Sequence, residues 1–196
     1  MDKWLSFFSL LEIEGVSESC FNEEEFKSFE AEMGIRFPKG YKEFCTIFGT
    51  GMLGGFIRIY CPCKGNPEAD IREHLWVIDT LKADVAFERD SIERGFSSFG
   101  DEKVSMLERL LDSAFAFGDN PNAEIFLWDL SSYNELDKSY DIYIVPSDDL
   151  SNTTLVGRDF YEFVSEFCLT PKSDELLPPK LRFYEDENIT KTFLRF

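Results

Sequence analysis

The sequence predicts an α+β fold in which N-terminal helices pack on a mostly antiparallel central sheet and a C-terminal helix closes the domain. Three observations carry this. Aromatic residues recur at helical spacing from Trp4 to Phe48. Strand-like apolar runs joined by short turns then dominate between Ala114 and Val145, and helical spacing returns from Arg158 to Phe167. No repeat, low-complexity tract or Pro/Gly-rich linker divides the chain. Residues 1–170 are therefore read as one domain, and residues 171–196 as a C-terminal extension docked on it.

The first helix is expected over Asp2 to Leu11, with Trp4, Phe7, Phe8 and Leu11 on one face. The second carries more signals. Asn22 suits the N-cap and Glu25 the reciprocal position of a capping box, while Phe21 and Phe26 form a staple around them. Phe26, Phe29 and Met33 make its buried stripe, and Gly34 can adopt the left-handed conformation that ends it. Pro38 fits the first position of a third helix, whose inner face is Tyr41, Phe44, Cys45 and Phe48. Gly49-Thr50-Gly51 stops that helix, and Phe56 to Tyr60 reads as a strand.

A fourth helix is expected from about Pro67 to Arg94, on Ile71, Leu75, Ile78, Leu81 and Val85, followed by a short one on Val104, Leu107, Leu110 and Leu111. Strands are expected over Ala114–Phe117, Ile125–Leu130 and Tyr140–Val145. Asp119-Asn120-Pro121-Asn122 makes the first turn between them and Ser131–Ser139 the second. The closing helix buries Phe160, Phe163, Val164 and Phe167, and the tail can dock Leu181–Tyr184 and Phe193–Phe196 as short strands.

Of the 196 residues 43% are apolar, including 21 Phe, which is the composition of a globular chain. No apolar run reaches the roughly 20 residues of a membrane span. The N-terminal stretch Trp4–Leu11 is short, runs into Glu12 and Glu14, and lacks a cleavage site. A cytoplasmic location is expected. The odd count of five Cys agrees with reduced, structural thiols, and Cys61-Pro62-Cys63 is too tight for a zinc loop. With 38 acidic against 20 basic residues the net charge is −18, which excludes direct nucleic-acid binding through a basic face. Acidity alone does not define a site. Spread over a surface on the order of 9,500 Å², it gives an interface-sized patch of about 800 Å² only one or two net negatives.

The stretch Met33-Gly34-Ile35-Arg36-Phe37-Pro38-Lys39-Gly40-Tyr41-Lys42-Glu43-Phe44 resembles the signature of the SUKH superfamily, which includes Smi/Knr-type cell-wall assembly regulators and bacterial immunity proteins. Gly34, Pro38, Tyr41, Phe44 and Gly51 match its pattern. Gly49-Thr50-Gly51 stands where many members have an Asn-Gly turn. Phe115 to Asp119 and Ile125 to Leu130 are similar to its later aromatic segments, although Ala123-Glu124 replaces the frequent Gly-Asp pair. The resemblance covers roughly Phe21 to Phe167 and leaves out the helix near Val104 and the tail. It implies a non-enzymatic scaffold that binds a protein partner, and for bacterial members an immunity protein neutralising a nuclease or nucleic-acid deaminase toxin. The alternative it implies is a regulatory scaffold.

A basic toxin domain suits an acidic binder, since complementary charge speeds encounter. Asp119, Asn120, Glu124 and Asp129 surround one predicted hairpin and form the candidate partner-binding cluster, although Asp119 and Asn120 also suit a plain turn. Catalytic chemistry finds little support. His74 is the sole histidine, and no Gly-x-Ser-x-Gly turn holds a nucleophile. The glycines Gly49, Gly51 and Gly54 precede a strand, where a dinucleotide loop would join strand to helix. No catalytic residue, metal ligand or cofactor is assigned. An aromatic pocket serving a small-molecule enzyme or sensor is the remaining alternative.

Overall fold

The computed structural model of the chain describes residues 2–15, 23–64, 66–96, 99–169 and 191–196. Within them eight strands form one sheet in the order β1-β8-β2-β3-β4-β5-β6-β7. The strands are β1 (Glu12–Glu14), β2 (Gly51–Leu53), β3 (Ile57–Ile59), β4 (Ala114–Asp119), β5 (Glu124–Asn134), β6 (Ser139–Pro146), β7 (Thr154–Gly157) and β8 (Thr192–Arg195). Every neighbouring pair is antiparallel except β1 and β8, which run parallel. Six helices accompany them: α1 (Asp2–Phe8), α2 (Glu23–Met33), α3 (Lys39–Ile47), α4 (Trp76–Glu93), α5 (Asp101–Asp112) and α6 (Phe160–Glu162). The last continues as a π-helical turn over Phe163–Phe167.

The α+β class therefore stands, and the sheet proves to be covered on both faces. Side chains alternate along a strand, and here the alternation separates two kinds of core. Phe115 and Phe117 of β4, Phe126 and Trp128 of β5, and Ile142 and Ile144 of β6 join Trp4, Phe29, Tyr41, Phe44 and Phe160 in a large aromatic core. Ala116, Ile125, Leu127 and Val145 face the other way, onto Leu81 and Val85 of α4 and Val104, Leu107 and Leu111 of α5.

Local rules explain most boundaries. Gly34 takes φ +67°, and the Ile35 amide reaches back to the Glu30 carbonyl at 3.2 Å, ending α2 in a Schellman turn. The expected cap at Phe21 and Asn22 lies outside the described residues. Pro38 sits one residue before the helix, not inside it: its ψ of 143° is extended, and its carbonyl accepts the Lys42 amide. The turn after α3 belongs to Gly49, at φ +79°. Gly51 has another reason. A Cβ there would lie 2.4 Å from the Leu194 carbonyl oxygen and from the Phe193 ring. The glycine admits the close approach of β8, and Arg195 of that strand donates to the carbonyls of Ile47 and Phe48, which end α3.

Several expectations need correction. The first helix stops at Phe8, and Leu11 is buried after it. The long helix from Pro67 is broken at Leu75. Asp70 accepts the Arg72 amide and starts a separate 3-10 turn over Ile71–His74, and the Ile71 amide bonds to the Cys61 carbonyl at 2.9 Å. Ile71 thereby enters the aromatic core, whereas Leu81 and Val85 enter the aliphatic one. Strand β5 extends to Asn134, which shortens the second turn. Strands β1, β2 and β7 were not foreseen, and Leu181–Tyr184 lies outside the described residues. No helix among the described residues is long and apolar enough to cross a membrane.

Candidate functional site

The site lies where α4 crosses one end of β3, β4 and β5. Arg58 of β3 and Asp119 of β4 are directly paired across the strands, and their side chains form an ion pair at 3.2 Å. Tyr60, just past β3, donates its hydroxyl to the second oxygen of Asp119 at 2.9 Å. Its ring stacks on His74, with centroids 3.6 Å apart and planes 15° from parallel. Burial raises the Asp119 carboxyl and opposes the lowering by Arg58, and burial likewise pushes the His74 imidazole down.

The family-like motif supports this cluster from beneath. Tyr41 is buried and donates its hydroxyl to the Tyr60 carbonyl at 2.6 Å. Thr50 lies in the departing Gly-Thr-Gly turn. Its buried hydroxyl donates to the Ala69 carbonyl and accepts the Cys61 amide, each at 2.9 Å, tying the segment that presents His74. One guanidinium nitrogen of Arg72 donates to both carboxylate oxygens of Asp70 at 3.0 Å, and the guanidinium lies over the Phe29 ring. A Cβ at Gly118 would meet the Arg58 carbonyl oxygen at 2.4 Å, so glycine permits the close β3–β4 approach.

Above the cluster opens a pocket of about 400 Å³, lined by Tyr60, His74, Trp76, Val77, Thr80, Ala116 and Ile125, with Asp119 and Arg58 at its polar end. Ser147 borders this pocket and also a second cleft of about 240 Å³, lined by Asp84, Phe87, Glu88, Phe99, Asp148, Asp149 and Leu150. The two follow one another along α4, with Ser147 common to both, and together are termed the α4 groove. At 100° per residue, Trp76, Thr80, Asp84 and Phe87 all fall on one flank of the helix, beside the buried stripe of Leu81 and Val85. Trp76 is 64% exposed and Phe87 67% exposed. The cleft end has four carboxylates and no Lys or Arg among its lining residues. A larger cavity of about 530 Å³ lies near Pro38 and Lys39, but its four basic and four acidic side chains offset one another.

The four acidic or amide residues expected to form one contact cluster are not gathered into one exposed patch. Asp119 belongs to the ion-pair cluster. Asn120 and Glu124 are buried, and the Asn120 side chain accepts the amides of Asn122 and Glu124 at 3.1 Å while donating to the Glu124 carboxyl. Burial pushes that carboxyl up to about 7. Asp129 pairs with Ala114 at the far end of the hairpin, where it accepts from Ser113 and Ser131. Arg58, Tyr60, Trp76 and the Asp148–Asp149 pair were missed as a group. Trp76 did carry a signal, because it stands out of phase with the helix's buried stripe.

Among the described residues no group of His, Cys, Asp and Glu could hold a metal ion. The four described cysteines, Cys45, Cys61, Cys63 and Cys168, are buried and are not joined to one another by disulfides, and burial raises the thiols of Cys45 and Cys168. A family model described as SMI1 / KNR4 family (SUKH-1) matches residues 20–166, a span that includes α4 and α5 as well as the motif. Comparison with curated proteins and with solved structures gives no match.

Proposed function

The chain belongs to the SMI1 / KNR4 family (SUKH-1), and from that premise we propose that it is a non-enzymatic binding protein that neutralises a toxin by direct contact. One observation carries this reading: the groove along α4 combines exposed aromatic side chains with a carboxylate-lined end. Exposed aromatics that serve no core mark a binding face. Carboxylates beside them select a positively charged partner and reject an acidic one. A nuclease or nucleic-acid deaminase is such a partner, because it must be basic where it grips phosphate. Occupying or covering that surface is sufficient to block its substrate.

The test is to co-express the chain with basic toxin domains encoded by neighbouring genes. A stable complex on gel filtration and loss of toxin activity at equimolar chain are expected. Toxins that stay fully active at saturating chain would overturn the reading. Stable complexes whose partners retain activity would instead establish the regulatory-scaffold role.

A further inference from the structure

We propose that the α4 groove takes a segment of the partner in which an aliphatic or aromatic anchor is separated by about four extended residues from a Lys or Arg. This rests on the binding role above and specifies its geometry. The anchor enters the pocket over the stacked Tyr60–His74 rings, against Trp76 and Thr80, where the lining is mainly apolar. The basic group reaches the cleft bounded by Asp84, Asp148 and Asp149.

The spacing comes from α4 itself. The pocket residues centre near Val77–Thr80 and the cleft residues near Asp84–Glu88, some eight residues on, or about 12 Å at 1.5 Å per residue. About four residues of extended chain span that distance. Charge complementarity decides the occupant. A second copy of this chain, at net −18, meets the cleft with like charge, and a neutral small molecule makes no use of it. The pocket supplies apolar area, and the cleft supplies attraction that salt weakens.

Trp76 provides the readout. The other two tryptophans, Trp4 and Trp128, are essentially inaccessible, so water-exposed emission comes from Trp76. The probe is the peptide Ac-Leu-Ser-Gly-Ser-Lys-Arg-amide, titrated into the full chain at low salt. A saturable blue shift and protection from acrylamide quenching are expected. Binding should weaken about tenfold or more when the peptide's Leu becomes Ser, when its Lys-Arg becomes Glu-Glu, or when the chain carries Asp84→Lys with Asp148→Lys, both exposed. Equal binding by the acidic and basic peptides would overturn the proposal. So would a concentration-dependent dimer of the chain that Trp76→Ala abolishes.

Toxin complexes separate this inference from the one beneath it. If a toxin is captured and inhibited, and Trp76→Ala with Asp84→Lys leaves its affinity within about twofold, the groove assignment fails while neutralisation stands. If no toxin is captured but the peptide binds as described, neutralisation fails and the groove remains. Unchanged far-ultraviolet circular dichroism and an unchanged melting temperature show that these exposed-site variants fold.

Discussion

The two faces of the sheet are built from different materials. On one, aromatic rings pack edge to face and stacked: Trp128 lies 4.5 Å from Phe117 and 4.8 Å from Tyr41, centroid to centroid, and Phe160 touches all three. Helices α1, α2, α3 and α6 all contribute to that core. On the other, a single helical hairpin covers the sheet with Leu, Val and Ile. It is tied across its outer side by Arg89, which pairs with Glu108 at 2.7 Å and with Asp101. The aromatic face is covered by four helices. The aliphatic face is a narrower lid, and the groove lies along its uncovered flank. The aromatic core and the proposed binding groove thus lie on opposite sides of the same strands.

The sharpest way to break this comparison is to hollow each face in turn. Phe117→Ala should cost about 4 kcal/mol and lower amide protection throughout the sheet, because the ring is fully buried among three elements. Leu107→Ala should cost about 3 kcal/mol and open α4 and α5 locally, leaving β5 amides protected. Urea denaturation and native-state hydrogen exchange measure both. Global loss of protection in the Leu107 variant would show that the lid is no separate unit.

A second test uses the buried Glu124, which lies between the pocket residues Ala123 and Ile125 in sequence. The Glu124 carboxyl is pushed up to about 7 by burial, from an unperturbed 4.5. A raised carboxylate pKa means that the folded state binds the proton more tightly. Its contribution is complete below pH 4.5 and is lost as pH rises through about 7. Glu124→Gln should flatten that fall, which is on the order of 3 kcal/mol. Parallel denaturation curves from pH 4.5 to 7.5 read it as the difference between the two proteins. Equal slopes would mean that Glu124 titrates as an exposed glutamate.

The smallest expected effect joins the two faces. Tyr41→Phe removes the hydroxyl that holds the Tyr60 carbonyl and leaves that carbonyl unpaired. It should cost about 1–2 kcal/mol. Since Tyr60 lines the groove, the same variant should shift Trp76 emission slightly. A stability loss without any such shift would separate the motif from the site.

The aromatic face was largely legible in the sequence, because its helices repeat at 3, 4 and 7 residues and its strands alternate. Phe115-Ala116-Phe117 even displays both faces in three residues: large toward one core, small toward the other. The break at Leu75 was not legible. Ile71, Leu75 and Ile78 keep helical spacing across it, while the Asp70 cap and the Cys61 contact that divide them act through space. The site was legible only in Asp119. Its partner Arg58 lies 61 residues earlier and is selected by β3–β4 register, which no local pattern encodes. His74 looked structural because its meaning comes from stacking on Tyr60, a residue in another segment. Asp119 stands at the turn end of the β4–β5 hairpin, paired with Ile125, whereas Asp129 pairs with Ala114 at its open end, so the hairpin does not bring the two carboxylates together.

Strand β8 has a bearing on how the molecule is made. It sits between β1 and β2, held by Gly51 and by the Arg195 contacts to α3, so the sheet's order does not follow the order of synthesis. A ribosome releases β1 and β2 well before Thr192–Arg195, and until then β2 presents an open edge to any passing chain. Completing the sheet requires a pairing between segments separated by almost the whole polypeptide, a slow class of contact. The interval between emergence of β2 and arrival of β8 is the period in which a nascent chain is most exposed to mispairing, and shortening translation pauses in that interval should raise soluble yield.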